Sequence, residues 1–114
     1  MARELELDGL DAEAVQFVAL DGDDIVATCR LRFDGDVCKM ERMAVESGHR
    51  GSGVGAVLLA GAEDEARRRG ATEVQLKAQL RARAFYERSG YAASSEEIVL
   101  DAAIEHVQMR KSLL

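Results

Sequence analysis

The chain has 114 residues, 47% of them hydrophobic, with 15 Lys+Arg against 21 Asp+Glu for a net charge of −6. That length holds one domain, residues 1–114, and the apolar fraction suits a packed core rather than a disordered tail. The acidic balance speaks against a nucleic-acid or anionic-membrane partner, which calls for a basic face, yet a few aimed donors can still hold a small anionic ligand. No uncharged run approaches the about 20 residues a membrane span needs. Met1–Asp8 has no apolar signal region, so the expected location is cytoplasmic.

In chain order, residues 14–20 (AVQFVAL) form an apolar run closed by Asp21-Gly22-Asp23-Asp24, which reads as a strand entering a hairpin. Residues 25–33 (IVATCRLRF) are a second strand, Asp34-Gly35-Asp36 a second turn, and 37–45 (VCKMERMAV) a third strand, predicting an antiparallel meander. Cys29 and Cys38 are too few for a disulfide scaffold and wrongly spaced for zinc, so no metal is expected. If Phe33 faces Val37, Cys38 faces Arg32 and Cys29 faces Glu41. The offset is about three residues, roughly 10 Å at ~3.3 Å each, beyond disulfide reach.

After Val45 the texture changes. Glycines crowd residues 46–55 (ESGHRGSGVG), and apolar residues at 54, 57, 58, 62 and 66 predict a helix over 54–69 that stops at Gly70. Arg67, Arg68 and Arg69 fall in its last turn and read as a solvated helix end. A fourth strand over 73–78, a short helix over 81–88 stopped by Gly90, extended pieces at 91–93 and 98–100, and a last strand over 104–109 complete the chain. The order β-β-β-α-β-α-β-β predicts an α/β (α+β) fold, a mixed and mostly antiparallel sheet with helices packed on it.

The segment Arg50-Gly51-Ser52-Gly53-Val54-Gly55-Ala56 follows a strand and opens a helix. Successive N–H groups there can converge on a phosphate with the helix dipole behind them, and Arg50 adds a charged donor. The bland alternative is a flexible strand-to-helix turn. Gly51, Gly53 and Ala56 also fit a dinucleotide pattern, but that unit wants an acidic residue about 20 residues on, where Lys77-Ala78-Gln79 stands, and a first strand less charged than Lys39-Met40-Glu41-Arg42. No Gly-Lys-Ser/Thr follows, which excludes a P-loop.

Arg42-Met43-Ala44-Val45 followed by His49-Arg50-Gly51-Ser52-Gly53-Val54-Gly55 resembles the acetyl-CoA-binding motif of the GNAT superfamily of N-acetyltransferases, with Arg50, Gly53 and Gly55 at its fixed positions. Phe85-Tyr86-Glu87-Arg88-Ser89-Gly90-Tyr91 resembles a second family segment. Glu6–Asp11, the strand end at Gln79 and Ile104–Met109 are similar to the ElaA-like branch, in which a strand and helices precede this point; the domain is expected to be shortened at its N-terminus. The resemblance implies transfer of an acetyl group from acetyl-CoA to an amine of a small molecule or protein. It implies that pyrophosphate oxygens accept N–H bonds from Gly51, Ser52, Gly53, Val54, Gly55 and Ala56, with Arg50 at the rim. It further implies that pantetheine pairs with the backbone of Met43, Ala44 and Val45 where the third strand splays from the fourth, and that Gln79 and Phe85 adjoin the cofactor. A non-catalytic acetyl-CoA-binding module, or a subunit completed by a partner, is the rival reading.

Tyr86 is the candidate acid that protonates the departing thiolate. Ala82, Phe85, Tyr86 and Ser89 share one helix face, so a packing role is its alternative. Glu41, placed on one strand face with Lys39, Met43 and Val45, is the candidate base, with an ion pair to a neighbouring arginine as its alternative. His49 reads as a capping or surface residue; His106, the next candidate base, otherwise reads as a packed strand histidine. Because the run 14–20 would present an unpaired apolar edge, a homodimer is expected, unless Met1–Leu10 folds back over it.

Overall fold

The computed structural model describes residues 4–8, 14–49 and 53–114. Seven strands form one sheet: β1 (Glu4–Asp8), β2 (Ala14–Asp21), β3 (Asp24–Asp34), β4 (Val37–Val45), β5 (Glu73–Gln79), β6 (Ala92–Asp101) and β7 (Ile104–Ser112). Their order across the sheet is β1-β2-β3-β4-β5-β7-β6. Helix α1 (Val54–Arg68) crosses from β4 to β5, and α2 (Arg83–Arg88), entered through a short 3₁₀ turn at Leu80–Ala82, connects β5 to β6. The β4–β5 pair is parallel and the other described pairs are antiparallel, as the crossover helix requires.

The predicted meander is present, with tighter hairpins than the reading above. Asp34 faces Val37, so Gly35 and Asp36 alone make the turn, and Gly35 takes the left-handed φ of 61° that such a turn demands. The register therefore moves by one residue: Cys38 faces Phe33 and Glu41 faces Arg30. Both cysteines are free and buried, and burial pushes each thiol up to about 12.

Alternation puts Phe17, Ala19, Cys29, Leu31, Cys38, Met40, Val74, Leu76, Val107 and Met109 on the sheet face that α1 covers. Val54, Leu58, Leu59, Ala62 and Ala66 of α1 close that layer. Three details depart from the sequence reading. Strand β1, within the segment given above as the alternative cover, pairs antiparallel with β2 from Glu4↔Leu20 to Asp8↔Gln16 where an unpaired edge was expected. The two extended pieces after Gly90 belong to one strand, β6, whose register shifts between Ala93 and Ile98. The arginines ending α1 are engaged rather than merely solvated. Glu65 receives Arg68 Nη2 at 2.6 Å and Arg69 Nε at 2.7 Å, which holds its carboxyl below the usual range, and Arg69 lies over the Phe33 ring.

A buried network fastens α1 to β7 and to the segment between α2 and β6. Tyr91 Oη donates to Glu63 Oε2 at 2.8 Å, and Lys111 Nζ donates to Glu63 Oε1 at 3.0 Å and to the Ser89 carbonyl at 2.9 Å. Glu63 is thus buried with both oxygens occupied, the condition under which a buried carboxylate is tolerated. No helix of the described residues is long and apolar enough to cross a membrane.

Candidate active site

Strands β4 and β5 pair only over Val37–Met40 with Glu73–Leu76. Beyond that point β4 continues on β3, and Lys77–Gln79 continue on β7, so the seam opens. The cause lies in β4. Arg30 faces Glu41 and Thr28 faces Ala44, which leaves Arg42 and Met43 opposite the single residue Cys29. Arg42 takes a left-handed φ of 57°. A bulge of this kind bends its strand and raises the local twist, here at the point where β4 departs from β5.

The bulge also resets alternation. Before it, Cys38 and Met40 face the helices while Lys39 and Glu41 face the opposite side; after it, Met43 and Val45 are the residues packed on the helix-side core. The expectation that Lys39, Glu41, Met43 and Val45 share a face therefore fails at Arg42. Glu41 lies across the sheet from Met43, with Oε1 3.3 Å from Arg30 Nε and 3.9 Å from Arg32 Nη1. That is the ion-pair alternative for Glu41. Arg30 Nε is buried and, despite the short distance, lacks hydrogen-bond alignment.

On the helix side three elements converge at the opening. Gly53 precedes α1 with φ 87°, and the helix start has neither a side-chain cap nor an acidic residue in its first turn. The N–H of Val57 donates to the Gly53 carbonyl at 3.1 Å, so the N–H groups of Val54, Gly55 and Ala56 precede the first intrahelical bond. A Cβ on Gly55 would lie 3.5 Å from both Val45 Cγ2 and Phe85 Cζ, which places the start of α1 against the end of β4 and the face of α2. Arg50, Gly51 and Ser52 lie outside the described residues, as does the side chain of His49.

Tyr86 of α2 is 8% exposed, and its hydroxyl donates to Met43 Sδ at 3.2 Å. Phe85 and Tyr91 meet its ring edge-on, with centroids 5.1 and 5.8 Å away. Burial, and in second place the Cys29 thiol, pushes the Tyr86 phenol up to about 12. It is therefore a protonated donor throughout the ordinary pH range, aimed at a sulfur. Gln79, half-buried, ends β5 and faces His106 across the β5–β7 ladder. Thus the structure brings Met43, Val45, Gly55, Phe85 and Tyr86 together, and sets Glu41 on the other face. The bulge at Arg42 is marked in the sequence not by residue type, since Arg42 is neither Gly, Asn nor Asp, but by phase: across the polar pair Glu41-Arg42 the apolar positions of VCKMERMAV move from 38 and 40 to 43 and 45, the shift that one inserted residue produces.

The sequence model of the GNAT acetyltransferase domain matches residues 2–113. The uncharacterized N-acetyltransferase YjcF of Bacillus subtilis is 39% identical over 108 residues, covering 95% of this chain and 77% of that protein. Escherichia coli ElaA shares the fold, with a TM-score of 0.78 at 22% identity over 91% of this chain and 72% of that one. So does an aminoglycoside 6′-N-acetyltransferase solved in complex with coenzyme A, with a TM-score of 0.78 at 19% identity over 91% of this chain and 75% of that one. The chain belongs to the GNAT acetyltransferase family and is an acyltransferase.

Proposed function

We propose that the open seam binds acetyl-CoA and that the chain transfers its acetyl group to an amine by direct attack. The observation that carries this reading is the meeting of an uncapped helix start, an unzipped β4 edge and a buried phenol at one opening in the sheet. The described N–H groups of Val54, Gly55 and Ala56 offer donors to a pyrophosphate, and the lack of any acid in that turn keeps the field favourable. Arg50, Gly51 and Ser52 extend the same cradle in this reading. From Glu41 onward β4 has lost its β5 ladder, so the backbone of Met43, Ala44 and Val45 can accept pantetheine as an added strand. One backbone N–H aimed at the thioester oxygen is worth roughly 3 kcal/mol of transition-state stabilisation. Phe85 packs beside the chain, and Gln79 borders it from β5.

Tyr86 supplies the proton. Its O–H, now on the Met43 thioether, faces the kind of atom it would protonate, and a thiolate is a far better acceptor than a thioether. The neighbour solved with coenzyme A supports the choice of donor through its shared fold.

Calorimetry tests this reading. Wild-type protein should bind acetyl-CoA and give no heat with NAD. Gly53→Glu, which puts a carboxylate and a side chain at a left-handed position beside the proposed pyrophosphate site, should abolish binding while the protein stays folded. An unchanged affinity in the folded variant overturns the assignment, as does a tight NAD isotherm.

A further inference from the structure

Besides the phenols of Tyr86 and Tyr91, the buried acidic and basic side chains among the described residues are Glu63, Glu65 and His106. The two glutamates are spoken for by Tyr91 and Lys111 and by the arginines at the end of α1. His106 is 8% exposed and makes one side-chain hydrogen bond, from Nδ1 to the Ile104 carbonyl at 2.7 Å. A carbonyl oxygen can only accept, so Nδ1 carries the hydrogen, and the tautomer this contact selects has its lone pair at Nε2. No described residue bonds Nε2, and it is not among the buried atoms left without a partner.

Its position matters as much as its tautomer. His106 faces Gln79, the last rung of β5, which borders the seam on the side away from β4. Val107 and Met109 point into the helix-side core, so His106 looks out on the opposite face of the sheet. On the helix side the opening is lined by Met43, Phe85 and Tyr86, where the function proposed above seats the acetyl-CoA sulfur. With the helix side taken by the cofactor in that reading, the face of Glu41 and His106 is left for an acceptor amine. Glu41 meets Arg30 and Arg32 there, whereas the His106 lone pair is open. The charged groups nearest in register are Lys77 and Arg110 on that face and Glu97 and Asp101, two residues either side of its β6 partner Val99. No ion pair joins any of them to the imidazole among the described residues.

We infer that His106 is the catalytic base, taking the proton from the acceptor's ammonium group at Nε2, directly or through one water; this rests on the function proposed above. The ammonium N–H bond breaks and the imidazolium forms. The freed nitrogen pair bonds the thioester carbon, and the C–S bond breaks with its electron pair left on sulfur. Tyr86 gives its proton to that sulfur and regains one from the nitrogen, and the His106 proton leaves to solvent. Thioester and ammonium thus become amide, thiol and one released proton.

The test uses acetyl-CoA with an equimolar mixture of spermidine, tyramine, glucosamine and lysine, following thiol release across pH 6–10. His106→Asn keeps a donor for the Ile104 carbonyl and removes the base. It should bind acetyl-CoA like wild type and lose about 10²-fold or more in kcat/KM near neutrality. The deficit should shrink toward pH 10, where the free amines deprotonate unaided. Glu41→Gln should show no such alkaline recovery. In wild type, ¹⁵N NMR should find the hydrogen on Nδ1. A deficit constant with pH, an unimpaired variant or a hydrogen on Nε2 overturns the role of His106 alone. Wild-type protein that binds acetyl-CoA and acetylates nothing overturns the proposed function and this role with it.

Discussion

The two ends of the β4–β5 seam are built from the same two strands and do opposite things. At the closed end Val37–Met40 and Glu73–Leu76 share a ladder, Cys38 and Val74 are sealed, and the Thr72 N–H donates to the Asp36 carbonyl at 2.8 Å just before it begins. At the open end the backbone separates, Met43 and Val45 are half-buried, and a tyrosine hydroxyl meets a sulfur instead of an oxygen. One residue in a left-handed conformation separates the two regimes. The one parallel pair of the described sheet thus opens at one end by interrupting its ladder while keeping the core intact beneath it, which is the room the proposed function needs for an extended ligand.

The largest effect that can separate the ends is chemical. Tyr86→Phe deletes the proposed acid and a weak bond to sulfur while leaving the ring packed on Phe85 and Tyr91. Turnover should fall about 10²–10⁴-fold with acetyl-CoA affinity unchanged, measured by steady-state kinetics beside calorimetry. Unchanged turnover would reduce Tyr86 to a packing residue.

Methionines on either side of the bulge sharpen the contrast in stability. Met40 is 3% exposed within the closed end, so Met40→Ala should cost about 2–5 kcal/mol in denaturant unfolding. Met43 is half-buried and lines the opening. Met43→Ala should cost about 1 kcal/mol and alter acetyl-CoA binding instead. Equal costs would mean that the two ends are one continuous core.

Much of this contrast was visible in the chain, its pivot only as a shift of phase. The meander, α1 and β5 followed from apolar spacing and glycine placement, because those features reflect which face is buried, whereas the meeting of the two distant motifs was implied only by the family resemblance. Strand β1 escaped notice because ELELD alternates over only five residues and its strand character comes from pairing with β2. The middle of β6 escaped because Ser94-Ser95-Glu96-Glu97 has no apolar rhythm, and the register shifts there. The face of Glu41 was misjudged because strict period-2 counting assumes no inserted residue; the mark of the insertion was the polar pair Glu41-Arg42, across which the apolar phase moves from 38 and 40 to 43 and 45.

Alkali should probe both ends at once. Cys29 and Cys38 are pushed from 9.0 up to about 12, and Tyr86 from 10.0 up to about 12, all chiefly by burial. Their folded pKa values are raised, so the stability linked to their protonated forms is fully present below about pH 9. It is lost as the unfolded chain sheds protons that the folded chain retains, up to about pH 12. Each group contributes a slope of about −1.4 kcal/mol per pH unit above its unfolded pKa. Urea titrations at pH 8, 9.5 and 10.5 should show this steepening, and Cys38→Ala should remove one share of it. A flat profile would mean that the thiols are hydrated in the folded chain.

The smallest effect bears most directly on the bulge. Arg42 holds φ 57° without the freedom of glycine, a strain of about 1 kcal/mol for an L-residue. Arg42→Gly relieves that strain but adds entropy to the unfolded chain, so the two terms nearly cancel and stability should shift by only a few tenths of a kcal/mol. Acetyl-CoA affinity should hold, because the bulge persists. Arg42→Val is the informative partner. A β-branched side chain resists the left-handed region and favours an unbulged strand. An unbulged β4 would turn Met43 to the Glu41 face, taking its sulfur from Tyr86 and extending the closed ladder toward Val45. The expected result is a folded protein with weakened acetyl-CoA binding for Val and near wild-type binding for Gly. If both variants bind alike, the opening of the seam does not depend on the backbone conformation at position 42, and the divergence of β5 toward β7 must open it instead.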